Sequence, residues 1–70
     1  MPFIRISYVR ENLGADAEDV KTRISDKVTQ VVADAMGVTP GDVWVVFDDI
    51  GAAEFYVGPK SVAEMRRNKS

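Results

Sequence analysis

Apolar and polar residues alternate at the start of the chain in a way that predicts a β-strand. Ile4, Ile6 and Tyr8 are each separated by one polar residue. A period of two is typical of a half-buried strand, because successive side chains point to opposite faces. The pattern predicts a first strand over residues 2–10, followed by a loop over residues 11–15.

The next segment has the period of an amphipathic α-helix. Its apolar residues recur at spacings of four, three and one, and they are Val20, Ile24, Val28, Val31, Val32, Ala35 and Met36. Such spacing winds one apolar stripe along a single helical face. Asp16 is predicted to cap the amino end, with Asp19 completing a capping box, and Gly37 to end the helix in a left-handed conformation.

A short turn and a second strand are predicted to follow. Residues 39–42 read Thr-Pro-Gly-Asp, which favours one short turn of helix or a reverse turn. Val43 to Phe47 is continuously apolar, as in a strand covered on both faces, and Asp48 and Asp49 are expected to end it. A strand, a long helix and a strand in this order predict a right-handed βαβ unit with parallel strands.

The remaining residues predict a short hairpin. Residues 54–57 favour a strand, Gly58-Pro59 favours a turn, and residues 61–65 precede a polar end over residues 66–70. The predicted fold class is therefore α/β, a small β-α-β unit with parallel strands and a short C-terminal hairpin, forming a single domain over residues 1–70.

Composition narrows the possible chemistry. The chain contains no cysteine and no histidine, which removes disulfides, thiolate metal sites and the commonest general base. We expect neither a metal nor a cofactor. No apolar run approaches the roughly 20 residues of a membrane helix, and no signal-peptide pattern opens the chain, so the expected location is the cytoplasm.

Charge argues against nucleic-acid and membrane partners. Nine basic and eleven acidic residues give a net charge of −2, so the protein has no overall positive field for polyanions. Four basic residues gather near the C-terminus, where they are interpreted as a solvated end: Lys60, Arg66, Arg67 and Lys69.

Chain length predicts self-association. A domain of this size buries only about 60 % of the surface of its unfolded chain, and a two-stranded sheet is not stable alone. Without disulfides or zinc, contacts between subunits are expected to complete the core and to cover apolar sheet surface.

Pro2 is a candidate catalytic residue. Removal of Met1, which is ordinary before a small residue, would leave Pro2 with a free secondary amine, whereas a retained Met1 leaves a non-basic amide. An α-amino group titrates near 7.7 to 8, and burial lowers the pKa toward neutrality, where a proton shuttle works best. The alternative is that Pro2 merely begins a strand. Asp48 and Asp49 are poorer candidates, because adjacent strand residues point to opposite faces.

The sequence resembles the 4-oxalocrotonate tautomerase family along nearly its whole length. The matching features are Pro2-Phe3-Ile4-Arg5-Ile6, the long helix, Thr39-Pro40-x-x-Val43, the apolar strand to Phe47, Phe55, and Gly58-x-x-Ser61-Val62-Ala63-Glu64-Met65. The resemblance implies dimers of β-α-β subunits assembled into a hexamer. It also implies an isomerase in which Pro2 is the base that converts an enol or unsaturated 2-oxo acid to its keto tautomer.

The resemblance also indicates substrate-binding positions, where this sequence departs from the family. The usual members carry arginines at the positions that here hold Asn12 and Trp44. Asn12 can donate a hydrogen bond, Trp44 offers an indole N–H and an apolar face, and Arg10 is a possible substitute cation. The active-site aromatic of the family matches Phe55, which would line the pocket.

Two alternatives within the resemblance stay open. Some relatives are heterohexamers, so the chain could be a partner subunit with weak or no activity alone. Hydratase and dehalogenase relatives use a glutamate two residues after the aromatic, a position that here holds Val57, whereas Glu54 precedes the aromatic.

Overall fold

A computed structural model describes residues 1–68, and residues 69–70 of the predicted polar end lie outside the described residues. The elements, in chain order, are β1 (Phe3–Val9), α1 (Ala17–Met36), β2 (Trp44–Ile50), β3 (Tyr56–Val57), β4 (Lys60–Ser61) and α2 (Val62–Arg67). β1 pairs with β2 in parallel, and β3 pairs with β4 in antiparallel fashion. The predicted β-α-β unit and C-terminal hairpin are confirmed.

The parallel register gives the sheet two chemically different edges. Phe3 lies opposite Trp44, and Val9 lies opposite Ile50. The backbone N–H of Trp44 extends this pairing by donating to the backbone carbonyl oxygen of Pro2 at 3.0 Å. We call the end of the sheet that holds Pro2 and Trp44 the amino edge, and the end where both strands finish the carboxyl edge.

The ends of α1 agree only in part with the sequence. Gly37 ends the helix with a φ of 70°, and its N–H and that of Val38 both donate to the Ala33 carbonyl, as predicted for a left-handed terminator. Asp16 occupies the N-cap position, but the predicted capping box is wrong. Its backbone, at φ −93° and ψ 18°, is not extended, and its side chain makes no capping hydrogen bond.

The apolar stripe of α1 is wider than the sheet beneath it. Val20, Val28 and Val32 are half-buried, whereas Val31 is 67 % and Met36 is 60 % exposed. Only part of the predicted apolar stripe is therefore covered within one chain. Two strands are too narrow to cover all the apolar positions of a 20-residue helix.

β2 runs past the acidic pair that was expected to end it. Asp48 and Asp49 remain in the strand because β1 supplies partners on each face of the sheet. On one face the Arg5 Nε lies 3.0 Å and the Ser7 Oγ 3.2 Å from Asp48 Oδ2. On the other face Asp49 accepts from the Tyr8 hydroxyl at 3.2 Å and from the Arg10 guanidinium. The two carboxylates do point to opposite faces, as the alternation of strand side chains requires.

Helix α2 was not predicted, although a local signal exists. Ser61 Oγ accepts the Glu64 N–H at 3.1 Å, which is the Ser-x-x-Glu arrangement of a helix start. The Val62 N–H donates to the Phe55 carbonyl at 2.7 Å and fixes the new helix against the preceding segment.

A single chain does not form a compact core. Its accessible surface is 5175 Å², whereas a compact monomer of this mass exposes about 4300 Å². Its radius of gyration is 15.3 Å against about 11 Å for a compact domain of this length. Among residues 1–68 the buried apolar side chains are those of Ala33 and Ala52. Within the same range no helix is long and apolar enough to cross a membrane.

The expected apolar sheet surface is exposed. Phe3 is 56 % and Trp44 is 52 % exposed, so β2 is not covered on both faces within one chain. These neighbouring aromatic side chains form an apolar surface beside Pro2.

Gly37→Ala is expected to lower the free energy of unfolding by about 1 kcal/mol, because a Cβ is disfavoured at its positive φ. Gly41→Ala is the matched control. A Cβ added at either position meets no other atom within 4 Å, and Gly41 has no positive φ. Urea unfolding at one fixed protein concentration measures both variants. Equal loss of stability in the two variants would contradict the left-handed terminator.

Asp49→Asn is expected to destabilise the protein near neutral pH. The Arg10 hydrogen bond, with a smaller contribution from Tyr8, lowers the pKa of Asp49 below its ordinary value of 3.8. The stabilisation is therefore complete above pH 3.8 and is lost as the pH falls through the lower pKa of the folded state. Thermal unfolding should show a difference from wild type that narrows in acid, and exposed Asp34→Asn should show no such narrowing. A constant difference at every acidic pH would refute this assignment.

Candidate functional site

Pro2 lies at the amino edge in mainly apolar surroundings. It is half-buried, and its carbonyl oxygen accepts a hydrogen bond from the backbone N–H of Trp44 at 3.0 Å. The exposed rings of Phe3 and Trp44 follow it on the two paired strands. Met1 is 77 % exposed, so the Met1–Pro2 bond lies at the surface. Such surroundings would favour the neutral form of an amine at Pro2 over the charged form.

Arg10 lies at the opposite edge and is engaged by an aspartate. It begins a 3₁₀ turn, Arg10–Asn12, directly after β1. Its Nε pairs with Asp49 Oδ1, and its Nη2 donates to the Asp49 carbonyl at 3.4 Å. The Asp49 hydrogen bond raises the pKa of the guanidinium and keeps it charged. Most of the positive charge of Arg10 is therefore balanced within its own chain.

A hydrogen bond from Ala52 joins two turns at the carboxyl edge. The Ala52 N–H donates to Glu11 Oε1 at 2.9 Å and so connects the Arg10–Asn12 turn to the 3₁₀ turn Ala52–Glu54. This hydrogen bond is the main reason that the pKa of Glu11 is lowered. Glu11 is therefore a carboxylate with a structural role at this edge.

The ends of the Arg10 and Glu54 side chains lie close to Gly51. A Cβ built on buried Gly51 would lie 2.9 Å from Glu54 Oε2 and 3.4 Å from Arg10 Nη1. A side chain at position 51 would therefore displace the ends of these two flexible side chains. Glu54 thus adds a second acidic group beside Arg10.

Phe55 and Asn12 complete the carboxyl edge. Phe55 is half-buried, and its carbonyl accepts the Val62 N–H at the start of α2. Asn12 is exposed, and its Oδ1 accepts a hydrogen bond from the Arg66 guanidinium. α2 therefore connects the backbone beside Phe55 to the side chain of Asn12.

The predicted site residues form two groups in one chain. Pro2 and Trp44 lie at the amino edge, whereas Arg10, Asn12 and Phe55 lie at or beside the carboxyl edge. The eight residue steps of extended chain from Pro2 to Arg10 span about 26 Å. One chain alone does not bring the two groups together.

Sequence reasoning missed Arg66 as a member of the carboxyl edge and named Glu54 only for the hydratase alternative. Arg66 was interpreted as part of a solvated end, because α2 was not predicted. The Ser61-x-x-Glu64 signal could have revealed the helix that carries it. Its contact with Asn12, 54 positions away in sequence, has no local signal. Within residues 1–68 no group of three or more potential metal-ligating side chains is found.

Comparison of the sequence with known proteins identifies a family. A family model described as "Tautomerase enzyme" matches residues 2–65, so the match begins at Pro2. The sequence is 33 % identical over 70 residues to "Probable tautomerase K2" from Dickeya dadantii (strain 3937), with complete coverage of both chains.

Solved structures share the fold over nearly the whole chain. TomN, described as a 4-oxalocrotonate tautomerase homologue in the tomaymycin biosynthetic pathway, superposes with a TM-score of 0.82 at 25 % identity and covers 99 % of this chain and 100 % of TomN. DmpI from Helicobacter pylori gives a TM-score of 0.78 at 26 % identity and covers 94 % of this chain and 97 % of DmpI. The match over residues 2–65 and the full-length likeness to a tautomerase show that this chain belongs to the tautomerase enzyme family.

Proposed function

We propose that this chain is a cofactor-independent keto-enol tautomerase that acts on an enol or an unsaturated 2-oxo acid. The amine of Pro2, freed by removal of Met1, is the general base. The observation that carries this proposal is the family match that starts at Pro2, a residue placed beside an exposed aromatic surface. The high exposure of Met1 is compatible with its removal. We propose the cytoplasm as the location.

The reaction is a proton transfer within one substrate molecule. The neutral Pro2 amine accepts the hydroxyl proton of the enol, and the resulting ammonium returns a proton to the carbon that becomes saturated. No proton is gained or lost overall. The apolar surroundings of Pro2 and Trp44 support this role, because desolvation lowers the pKa of an amine and leaves more of it unprotonated near neutral pH.

The remaining candidate residues are proposed to bind the substrate. Trp44 and Phe55 supply apolar surface, and the amide of Asn12 can donate to the substrate oxygen that gains charge during proton transfer. Arg10 adds positive charge that is reduced by its pairing with Asp49. The weak net charge of this set favours aromatic or singly charged enols over dicarboxylates.

Assembly is proposed to complete the site. The amino-edge and carboxyl-edge residues are about 26 Å apart along one chain, so a substrate can touch both only where the carboxyl edge of one chain meets the amino edge of another. The exposed apolar side chains of α1, Val31 and Met36 among them, support such association. We propose a homohexamer built as a trimer of dimers.

A heterohexamer with a paralogue is the second candidate for this chain. It is favoured by the uncharged residues Asn12 and Trp44, which leave substrate binding with little positive charge. In that case the chain would act as a partner subunit with weak activity of its own.

Pro2→Ala is expected to lower kcat for phenylenolpyruvate by roughly a hundredfold or more, because general-base catalysis contributes about 10²–10⁴-fold. Pro59→Ala, at an exposed turn proline, is the matched control and should retain activity. The assay is run on protein whose intact mass shows that Met1 is absent. Unchanged activity in Pro2→Ala would refute the proline-base mechanism.

Native mass spectrometry of the chain expressed alone is expected to show a particle of six chains. Val31 is 67 % exposed in the single chain and is proposed to be buried on association. Val31→Lys should therefore shift this particle to smaller species, because association would bury the lysine charge. Gln30→Lys, on the neighbouring exposed position, controls for added charge. A wild-type chain that remains monomeric and inactive until a paralogue is added would favour the partner-subunit function.

A further inference from the structure

Arg66 lies at the carboxyl edge, next to the proposed substrate-binding residue Asn12. The family match ends at residue 65, so Arg66 stands just beyond it. Its guanidinium Nη2 donates to Asn12 Oδ1, on the turn that follows β1. A helix absent from the sequence prediction therefore brings a cation to a candidate substrate-binding residue.

The start of α2 determines where Arg66 points. The Val62 N–H is fixed to the Phe55 carbonyl at 2.7 Å, and Ser61 caps the first turn. Arg66 follows Val62 by four residues, about 6 Å along the helix axis and on the same helical face. The face of α2 that begins beside Phe55 thus carries the guanidinium to Asn12.

The two arginines of this edge differ in their partners. Arg10 is paired with the Asp49 carboxylate and carbonyl, and Glu54 adds negative charge beside it. Among residues 1–68, Arg66 hydrogen-bonds to the neutral amide of Asn12, and its charge makes a small contribution to the lowered pKa of Glu11 without a carboxylate of this range lying within ion-pair distance. A guanidinium has five N–H donors, so an Arg66 held by one amide retains donors for a bidentate carboxylate.

We propose that Arg66, oriented by Asn12, binds the carboxylate of the substrate at the carboxyl edge. This inference rests on the proposed tautomerase function and assigns its substrate class. One available guanidinium accommodates one carboxylate, whereas the nearby carboxylates of Glu11 and Glu54 oppose a second. The substrate is therefore a monocarboxylic enol whose apolar part lies along Phe55.

Arg66→Gln tests the assignment against Arg67→Gln, which removes the adjacent guanidinium of the same helix. The two substrates are phenylenolpyruvate and its methyl ester, which differ in the carboxylate charge. Arg66→Gln should lower kcat/KM for the acid by roughly tenfold to a hundredfold, as expected for a lost charged hydrogen bond, and change the ester by less than about twofold. Arg66→Lys should fall between wild type and Arg66→Gln, and Arg67→Gln should resemble wild type on both substrates.

Two outcomes of these assays would overturn the assignment. Wild-type turnover of the acid by Arg66→Gln would do so and would leave the Pro2 mechanism intact. An equal loss on acid and ester would indicate a structural role for Arg66. Pro2→Ala, by contrast, should lose activity on both substrates alike, so failure of the base is distinguishable from failure of the carboxylate-binding residue.

A binding measurement separates this inference from catalysis. Phenylpyruvate is titrated into the wild-type protein and followed by the fluorescence of Trp44, the sole tryptophan. If no enol is turned over, the proposed function fails. A roughly tenfold weaker Kd in Arg66→Gln would still support carboxylate binding by Arg66, whereas an unchanged Kd, or no binding by the wild type, would overturn it.

Discussion

Parallel pairing of β1 with β2 is the constraint on which the rest of this structure depends. Two strands that run in the same direction cannot be joined by a tight turn, so the chain requires the long crossover helix α1. The same pairing makes both strands finish at one edge. The turns that follow them therefore meet, and the hydrogen bond from Ala52 to Glu11 joins them. Arg10, Asn12 and Phe55 lie on or directly after these turns.

The small size of the sheet has a further consequence for function. Two strands cover only part of α1 and leave aromatic side chains exposed at the amino edge. Exposed apolar surface of this extent is costly in water, and association is the route to burial that we propose for a chain that has no cysteine. The proposed mechanism needs the same association, because Pro2 and the carboxyl-edge residues lie at opposite ends of β1. Stability and catalysis would then depend on the same contacts between chains.

The charged groups of the carboxyl edge comprise those that stabilise the turns and Arg66, which we propose binds the substrate. Asp49 holds Arg10, and Glu11 holds the backbone of Ala52, so these ionised groups stabilise the turns. Arg66 arrives from α2 and contacts an uncharged amide. An arginine with a neutral partner is the better carboxylate receptor, since it gives up no ion pair when the substrate binds.

Local sequence patterns determined most of the secondary structure, because each depends on a few neighbouring residues. The alternation around Ile6, the helical stripe ending at Gly37 and the turn at Pro40 predicted β1, α1 and the short turn before β2. The prediction that Asp48 and Asp49 end β2 was wrong, because Arg5 and Tyr8, among others, supply partners from the neighbouring strand.

The sequence by itself therefore determined the β-α-β order and the lack of cysteine and histidine, and its resemblance to a known family indicated Pro2 as the candidate base. Tertiary structure decided which apolar positions of α1 are covered, that Arg10 is paired with Asp49, and that Arg66 contacts Asn12. The physical reason is range. Helical and strand periods are set by nearest neighbours along the chain, whereas the Arg10–Asp49 and Arg66–Asn12 contacts join residues 39 and 54 positions apart and depend on the three-dimensional path between them.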